Sequence, residues 1–124
     1  MVVEGVGGVM VPLSTDALVI DFIKMSGLSA LVVSPTALGT INHTCLTVSA
    51  LKARGIPVAG ILFNRAGGAG GVFPRVRREI ERISRVPVLG SLGSFKIARG
   101  REASIVARAR RALDLKRILT FFSR

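Results

Sequence analysis

Apolar runs and helix-spaced stripes alternate along this chain. Val2-Val3 reads as the end of a strand and residues 5–8 as the loop after it. Thr15-Asp16 precede a periodic segment through Phe22 and Met25 to Gly27, the pattern of a short helix with an N-cap and a C′ glycine. Ala30-Leu31-Val32-Val33 is apolar without a break, as in a strand buried on both faces. A helix is predicted from 41 to about 54, with Ile41, Cys45, Val48 and Leu51 as its buried stripe, Thr40 as N-cap, and Gly55 with Pro57 as its stop. Residues 58–63 form the next buried strand. A glycine-rich loop at 67–71 follows, then a helix with Pro74 in its first turn and the stripe Val76, Ile80 and Ile83. Residues 86–89 are a last short strand. One long helix is predicted from about 102 to 121, because Ile105, Ala109, Ala112, Leu115, Leu119 and Phe122 recur at spacings of three and four. Arg110, Arg117 and Arg124 lie seven apart on its solvated side.

Strict alternation with strands apolar throughout predicts an α/β fold, a mostly parallel sheet flanked by helices. At 124 residues the chain is expected to form a single domain, 1–124, without repeats or linkers. Mean hydropathy is high at +0.54, yet no run approaches the roughly 18 apolar residues of a membrane span. Val2-Val3-Glu4 directly after Met1 offers neither the basic nor the apolar region of a signal peptide. The lone Cys45 excludes an internal disulfide and fits a reducing compartment, so a cytoplasmic location is expected.

The net charge of +11 lies entirely in one half. Up to residue 64, Lys24, Lys52 and Arg54 balance Glu4, Asp16 and Asp21; beyond it fifteen Lys or Arg face Glu79, Glu81, Glu102 and Asp114. Such asymmetry can mark a nucleic-acid surface. Here the arginines interleave with a helical apolar stripe and no Trp or Tyr is present for base stacking, so solvated helix faces are the better reading.

Ligands of open α/β sheets gather at the carboxyl ends of strands. Glu4, the loop of 5–8, the loop of 35–40 and Asn64 all fall at predicted strand ends. Taken singly each has a bland alternative: Glu4 as a turn carboxylate, Asn64 as a turn former, Thr40 as a cap. His43 has no partner for a metal or for catalysis, Cys45 falls on a buried stripe, and Ser34, Ser91 and Ser94 have no triad pattern. The coincidence of position argues for a phosphate-handling site, although no G-x-x-x-x-G-K-[ST] loop occurs in the sequence.

Val3-Glu4-Gly5-Val6-Gly7-Gly8-Val9-Met10-Val11-Pro12-Leu13-Ser14 resembles the VEGAGG…PLS segment of the dethiobiotin synthetases. Leu38-Gly39-Thr40-Ile41-Asn42-His43-Thr44-Cys45-Leu46-Thr47 resembles their LGTINH-x-LLT segment. Arg54-Gly55-Ile56-Pro57-Val58-Ala59-Gly60, Phe63-Asn64 and Val86-Pro87-Val88-Leu89-Gly90 follow in the family's order. The GTINH stretch separates this family from the cobyrinate amidases and the phosphotransacetylase regulatory domains, which share only the E-G-x-G-G theme.

The resemblance implies a P-loop NTPase-like fold and an ATP-dependent ligase of biotin biosynthesis, a homodimer acting on 7,8-diaminopelargonate and CO2 with ATP and Mg²⁺. By position, Glu4 is implied as a Mg²⁺ ligand and Gly5, Val6, Gly7 and Gly8 as backbone approaching the phosphates and the carbamate. Gly39, Thr40, Ile41 and Asn42 are implied to hold the substrate carboxylate at a helix N-terminus. Asn64 is implied to recognise adenine, with Gly93, Ser94 and Phe95 lining its pocket. Gly93 stands where the family has Pro, and Arg65 where a small or acidic residue is common. The family's phosphate loop, its lysine, its second Mg²⁺-binding carboxylate and a further catalytic lysine have no counterpart in these residues. The expectation is therefore a C-terminal half that needs a complementing N-terminal half. A non-catalytic nucleotide-binding relative and a basic nucleic-acid-binding protein are the alternatives, separable by salt-dependent DNA binding.

Overall fold

A computed structural model describes residues 2–64, 72–94 and 102–121. Its centre is a sheet of three parallel strands in the order β1 (Ala30–Pro35), β2 (Val58–Asn64) and β3 (Val88–Ser91). Before β1 comes α1 (Val19–Ser26); α2 (Thr40–Ala53) joins β1 to β2 and α3 (Val72–Ser84) precedes β3. At the end stand α4 (Glu102–Ala112) and α5 (Leu115–Thr120). Parallel neighbours need long crossovers, which the helices supply. Since α2 packs on α3, both cover the same face, over a core of Val48, Leu51, Ile61, Phe63 and Ile80. The predicted fold class is the observed one. Among the described residues no helix is long and apolar enough to cross a membrane.

Several elements differ from the pattern, each for a local reason. Val2-Val3 is not a strand, because a strand exists only in a ladder and none of the three strands pairs with it. The first helix starts at Val19 rather than after Asp16. Its cap is the Asp21 carboxylate, which accepts from the Leu18 amide at 2.9 Å, as the third residue does in half of a capping box. Gly27 ends it with φ 67°, as predicted. β1 is not covered on both faces: Val32 and Ser34 point into the core while Val33 is 59% exposed.

In α2 the buried face is Thr40, Thr44, Val48 and Leu51: Val48 and Leu51 are buried as predicted, while Thr40 and Thr44 take the places expected for Ile41 and Cys45, which are only half-buried. Its C-terminus closes as a Schellman turn, the Ile56 amide donating to Leu51 O (3.0 Å) and Gly55 to Lys52 O (2.9 Å). Pro74 is the third residue of α3; Ile83 is half-exposed and Ser84 is buried in its place, four residues after Ile80. The last strand runs two residues later than predicted. Its outer edge is closed by α3: Glu81 Oε1 accepts from the Val88 amide (2.9 Å) and Arg77 Nη2 donates to Val88 O (3.0 Å).

The single C-terminal helix is two. Leu113 bridges to Gly90, the Asp114 amide donates to Leu89 O (2.6 Å), and the Asp114 carboxylate caps α5 through the Arg117 amide (3.0 Å). Restarting the helix at Asp114 changes its phase, so Ile118 turns inward and Leu119 outward. Gly90 permits this docking, since a side chain there would collide with the Ala112 carbonyl and Leu113. Phe122 and Arg124 of the predicted helix lie outside the described residues, as does the loop at 67–71.

Asp21 also pairs with Arg54 at 2.8 Å, tying α1 to the end of α2. The Leu18 amide above all holds its carboxyl below the ordinary value of 3.8; desolvation opposes this, and the charge and hydrogen bond of Arg54 add to the lowering. A depressed folded-state value means stability that is present above the unfolded value and lost as pH falls through the folded one. Thermal melts from pH 5 to pH 2 are therefore expected to fall less steeply for Asp21→Asn than for the parent chain; parallel curves would contradict the assignment.

Candidate functional site

Register places the three strand ends side by side. Pro35 is opposite Asn64, Phe63 is opposite Ser91, and the Leu92 amide donates to Phe63 O at 2.8 Å. The carboxyl edge of the sheet is thus a continuous rim carrying the start of α2, Asn64, and residues 91–94.

The start of α2 is braced from below by three buried hydroxyls. Ser34 Oγ lies 3.0 Å from Thr40 Oγ1 and 2.6 Å from Thr44 Oγ1, and Thr40 Oγ1 donates to Pro35 O (2.6 Å). All three residues are more than nine-tenths buried and fully paired. Thr40 is therefore not the cap: its hydroxyl faces the core and is closed to a ligand. Gly39 takes the cap position with φ 86°, a left-handed conformation that disfavours a side chain, and the His43 ring lies 3.1 Å from where a Cβ would stand. The Thr40 amide donates to Ala37 O (3.1 Å) and that of His43 to Gly39 O (3.0 Å). The Ile41 and Asn42 amides have no acceptor among the described residues, so the helix presents two donors to solvent beside an exposed Leu38. The predicted serine roles omitted Ser34, whose signal was a hydroxyl at an inward strand position facing Thr40 and Thr44.

Glu4 is exposed, in a loop anchored to α1. Gly5 rests on Val19, and Val9 O accepts from the Ile20 amide (2.9 Å). Gly7 has φ 78°, and the turn closes from the Val11 amide to Gly8 O (3.0 Å). Among the described residues no group of three His, Cys, Asp or Glu could hold a metal. Glu4 alone suits only an ion that brings further oxygen ligands with it. Cys45 is half-buried and burial pushes its thiol up, which fits a packing residue and opposes a nucleophile.

Asn64, Gly93 and Ser94 are exposed on the rim, while Phe95 lies outside the described residues. Beside them is a cavity of about 230 Å³ lined by Ser91, Leu92, Gly93, Arg108, Arg111 and Ala112. Sequence reasoning assigned neither arginine. The three-residue spacing that puts both on one helix face was legible, but their place beside the end of β3 was not.

An open parallel α/β sheet with loops gathered at its carboxyl rim defines the class, and comparison agrees. Residues 1–96 match the AAA domain family, and the chain belongs to this P-loop NTPase-like family. Its curated relatives include the ATP-dependent dethiobiotin synthetase BioD of Bacillus thuringiensis (strain Al Hakam), 46% identical over 97 residues, 76% of this chain and 39% of the relative. The proteins of the same name from Bacillus cereus (strain B4264) and Bacillus anthracis (strain A0248) are 47% and 46% identical over 75% and 76% of the chain. The resemblance read from the glutamate-glycine and GTINH segments is thereby borne out. In each case the chain spans 39% of the relative's length.

Proposed function

We propose that this chain, as one α/β unit, forms the substrate-carboxylate and nucleotide-base sides of a dethiobiotin synthetase working in biotin biosynthesis. The observation that supports it best is the pair of open amides at Ile41 and Asn42, held in place by the Ser34, Thr40 and Thr44 hydroxyls. The reaction joins 7,8-diaminopelargonate to CO2 as a carbamate, which attacks the γ-phosphorus of ATP and releases ADP. The second amine then attacks the carbamoyl carbon; phosphate leaves, a proton passes to solvent, and the ureido ring closes.

Within this scheme the α2 N-terminus binds the remote carboxylate of the substrate. Its dipole and two N–H groups are worth on the order of 1–2 kcal/mol, about a ten-fold gain in affinity. Anchoring the tail fixes where the two amines lie, which turns ring closure into a reaction between held groups. Gly5, Val6, Gly7 and Gly8 present backbone without side chains to the phosphates, Asn64 reads adenine through its amide, and Gly93, Ser94 and Phe95 flank the base. Mg²⁺ carried on ATP would be held by Glu4 and supplies charge neutralisation for phosphoryl transfer. A homodimer, or a complementing half with a phosphate loop, completes the assembly. The sequence holds no such loop, which favours a non-catalytic nucleotide-binding module as the second reading.

Reconstituted with a half that carries a phosphate loop, Gly39→Val is expected to raise KM for diaminopelargonate about ten-fold and to leave KM for ATP unchanged. Asn64→Ala is expected to do the reverse and to narrow the preference for ATP over other nucleoside triphosphates. Steady-state kinetics on both variants checks this. If neither KM moves in either variant, the site assignment is wrong even with the fold intact.

A further inference from the structure

Three buried hydroxyls meet where β1 ends and α2 begins, and each has a single proton to give. Ser34 Oγ lies 3.0 Å from Thr40 Oγ1 and 2.6 Å from Thr44 Oγ1, and Thr40 Oγ1 lies 2.6 Å from Pro35 O. Oxygens this close must share a proton, since otherwise their lone pairs face one another. Three contacts therefore draw on three protons, one from each hydroxyl. Pro35 O can only accept, which commits the Thr40 proton to it. The Ser34 proton must then go to Thr40, and the Thr44 proton to Ser34. A single direction satisfies every contact, from Thr44 to Ser34 to Thr40 to Pro35 O. All three residues are more than nine-tenths buried, so solvent offers no substitute partners. A threonine inside a helix commonly turns its hydroxyl to the carbonyl four residues back, whereas Thr44 reaches across to the strand.

We propose that Ser34 and Thr44 are positioning residues, acting through Thr40 to latch the first turn of α2 to the end of β1. Ser34 is the pivot, because it gives to one threonine and takes from the other. Each donor in such a chain polarises the next, so the links strengthen one another. The cap residue Gly39 brings no side-chain bond of its own, and the latch adds the hold that keeps the turn in shape around the open Ile41 and Asn42 amides. Its service to a substrate carboxylate rests on the function proposed above; the latch itself does not. Loss falls unequally along the chain. Without the Thr44 hydroxyl, Ser34 and Thr40 still have acceptors for their protons. Without the Ser34 hydroxyl, Thr44 keeps a buried proton that has lost its acceptor, and Thr40 loses its donor.

Amide hydrogen exchange of the whole chain, followed residue by residue by NMR, tests this. In Ser34→Ala the Thr40 and His43 amides, which close the first turn on Ala37 O and Gly39 O, are expected to exchange about ten-fold faster. The Gly55 and Ile56 amides at the other end of α2 should keep the parent's rates. Thr44→Val, close in shape, is expected to cost about two-fold at the first turn, and Thr44→Ser, which keeps the hydroxyl, nothing. A Thr44→Val effect equal to that of Ser34→Ala would overturn the direction of the chain, because Thr44 would then be an acceptor. Faster exchange at both ends of α2 alike, or at neither, would overturn the positioning role. Should thermal melts show that Ser34→Ala does not fold, the Thr44→Val and Thr44→Ser pair decides, and no difference between them overturns the latch. Titration with 7,8-diaminopelargonate gives the second readout, with binding expected to weaken about five-fold in Ser34→Ala. Equal affinity in parent and variant, or no binding to either, beside the expected exchange pattern would leave the latch in place and remove the carboxylate site it was to serve.

Discussion

A polypeptide of these 124 residues, given ATP, Mg²⁺, CO2 and 7,8-diaminopelargonate, is expected to form dethiobiotin at least about a thousand-fold more slowly than when mixed with a half that carries a phosphate loop. Phosphoryl transfer is catalysed almost wholly by positioning and by charge placed against the phosphates, and loss of even one oriented donor commonly costs about a hundred- to a thousand-fold. The described residues offer the exposed Glu4 with its glycine loop and the open α2 amides, and the sequence contains no G-x-x-x-x-G-K-[ST] segment to grip the β- and γ-phosphates. Product formation followed by mass spectrometry, with and without the added half, measures the difference. Ring closure by the polypeptide alone at a rate close to that of the mixture would show that the phosphates are gripped by residues not assigned here.

The second large effect is expected in sedimentation. The same polypeptide should run as an oligomer, and Val33→Lys should move most of it to the monomer. Among the described residues β1 pairs only with β2, so its other edge has no strand beside it, and Val33 displays more than half of its surface on a face that α2 and α3 do not cover. An open edge beside exposed apolar surface is a template for another chain. A lysine on that face adds charge where a second copy would have to pack. A monodisperse parent monomer with a high melting temperature would show instead that the sheet is self-sufficient.

The alternation of strands and helices was readable because each strand is a short apolar run and each helix ends on chemistry local to it, as at Gly27 and Gly55. The turns at Gly39 and Gly7 were also readable as glycine turns, since both have a backbone geometry that only a few residue types tolerate. What escaped was anything decided across the fold. Thr40 was read as a cap because caps are local, while its actual partners are Ser34 and the Pro35 carbonyl beneath it. The C-terminal stripe ran unbroken through Leu113 and Asp114, and nothing in its period announces that Leu89 will claim the Asp114 amide. Arg77 and Glu81 form an i,i+4 pair on α3; their second partners, the two backbone groups of Val88, are visible only once β3 is in place. The first two positions of the α2 stripe were off by one for the same reason, because the buried hydroxyls of Thr40 and Thr44 counted as polar in the pattern and as core in the structure, while Val48 and Leu51 were read as they are.

That clamp on Val88 gives the sheet a polarity of growth. One border is stapled shut by its own helix and the other is left receptive, so a second piece of protein has a single direction from which to add strands. For anyone splitting or rejoining such a protein, the two pieces should find one order and not two. Cutting the staple, by replacing Glu81 and Arg77 together, would release one of the two holds on that border and leave the bridge of Leu113 to Gly90 as the other.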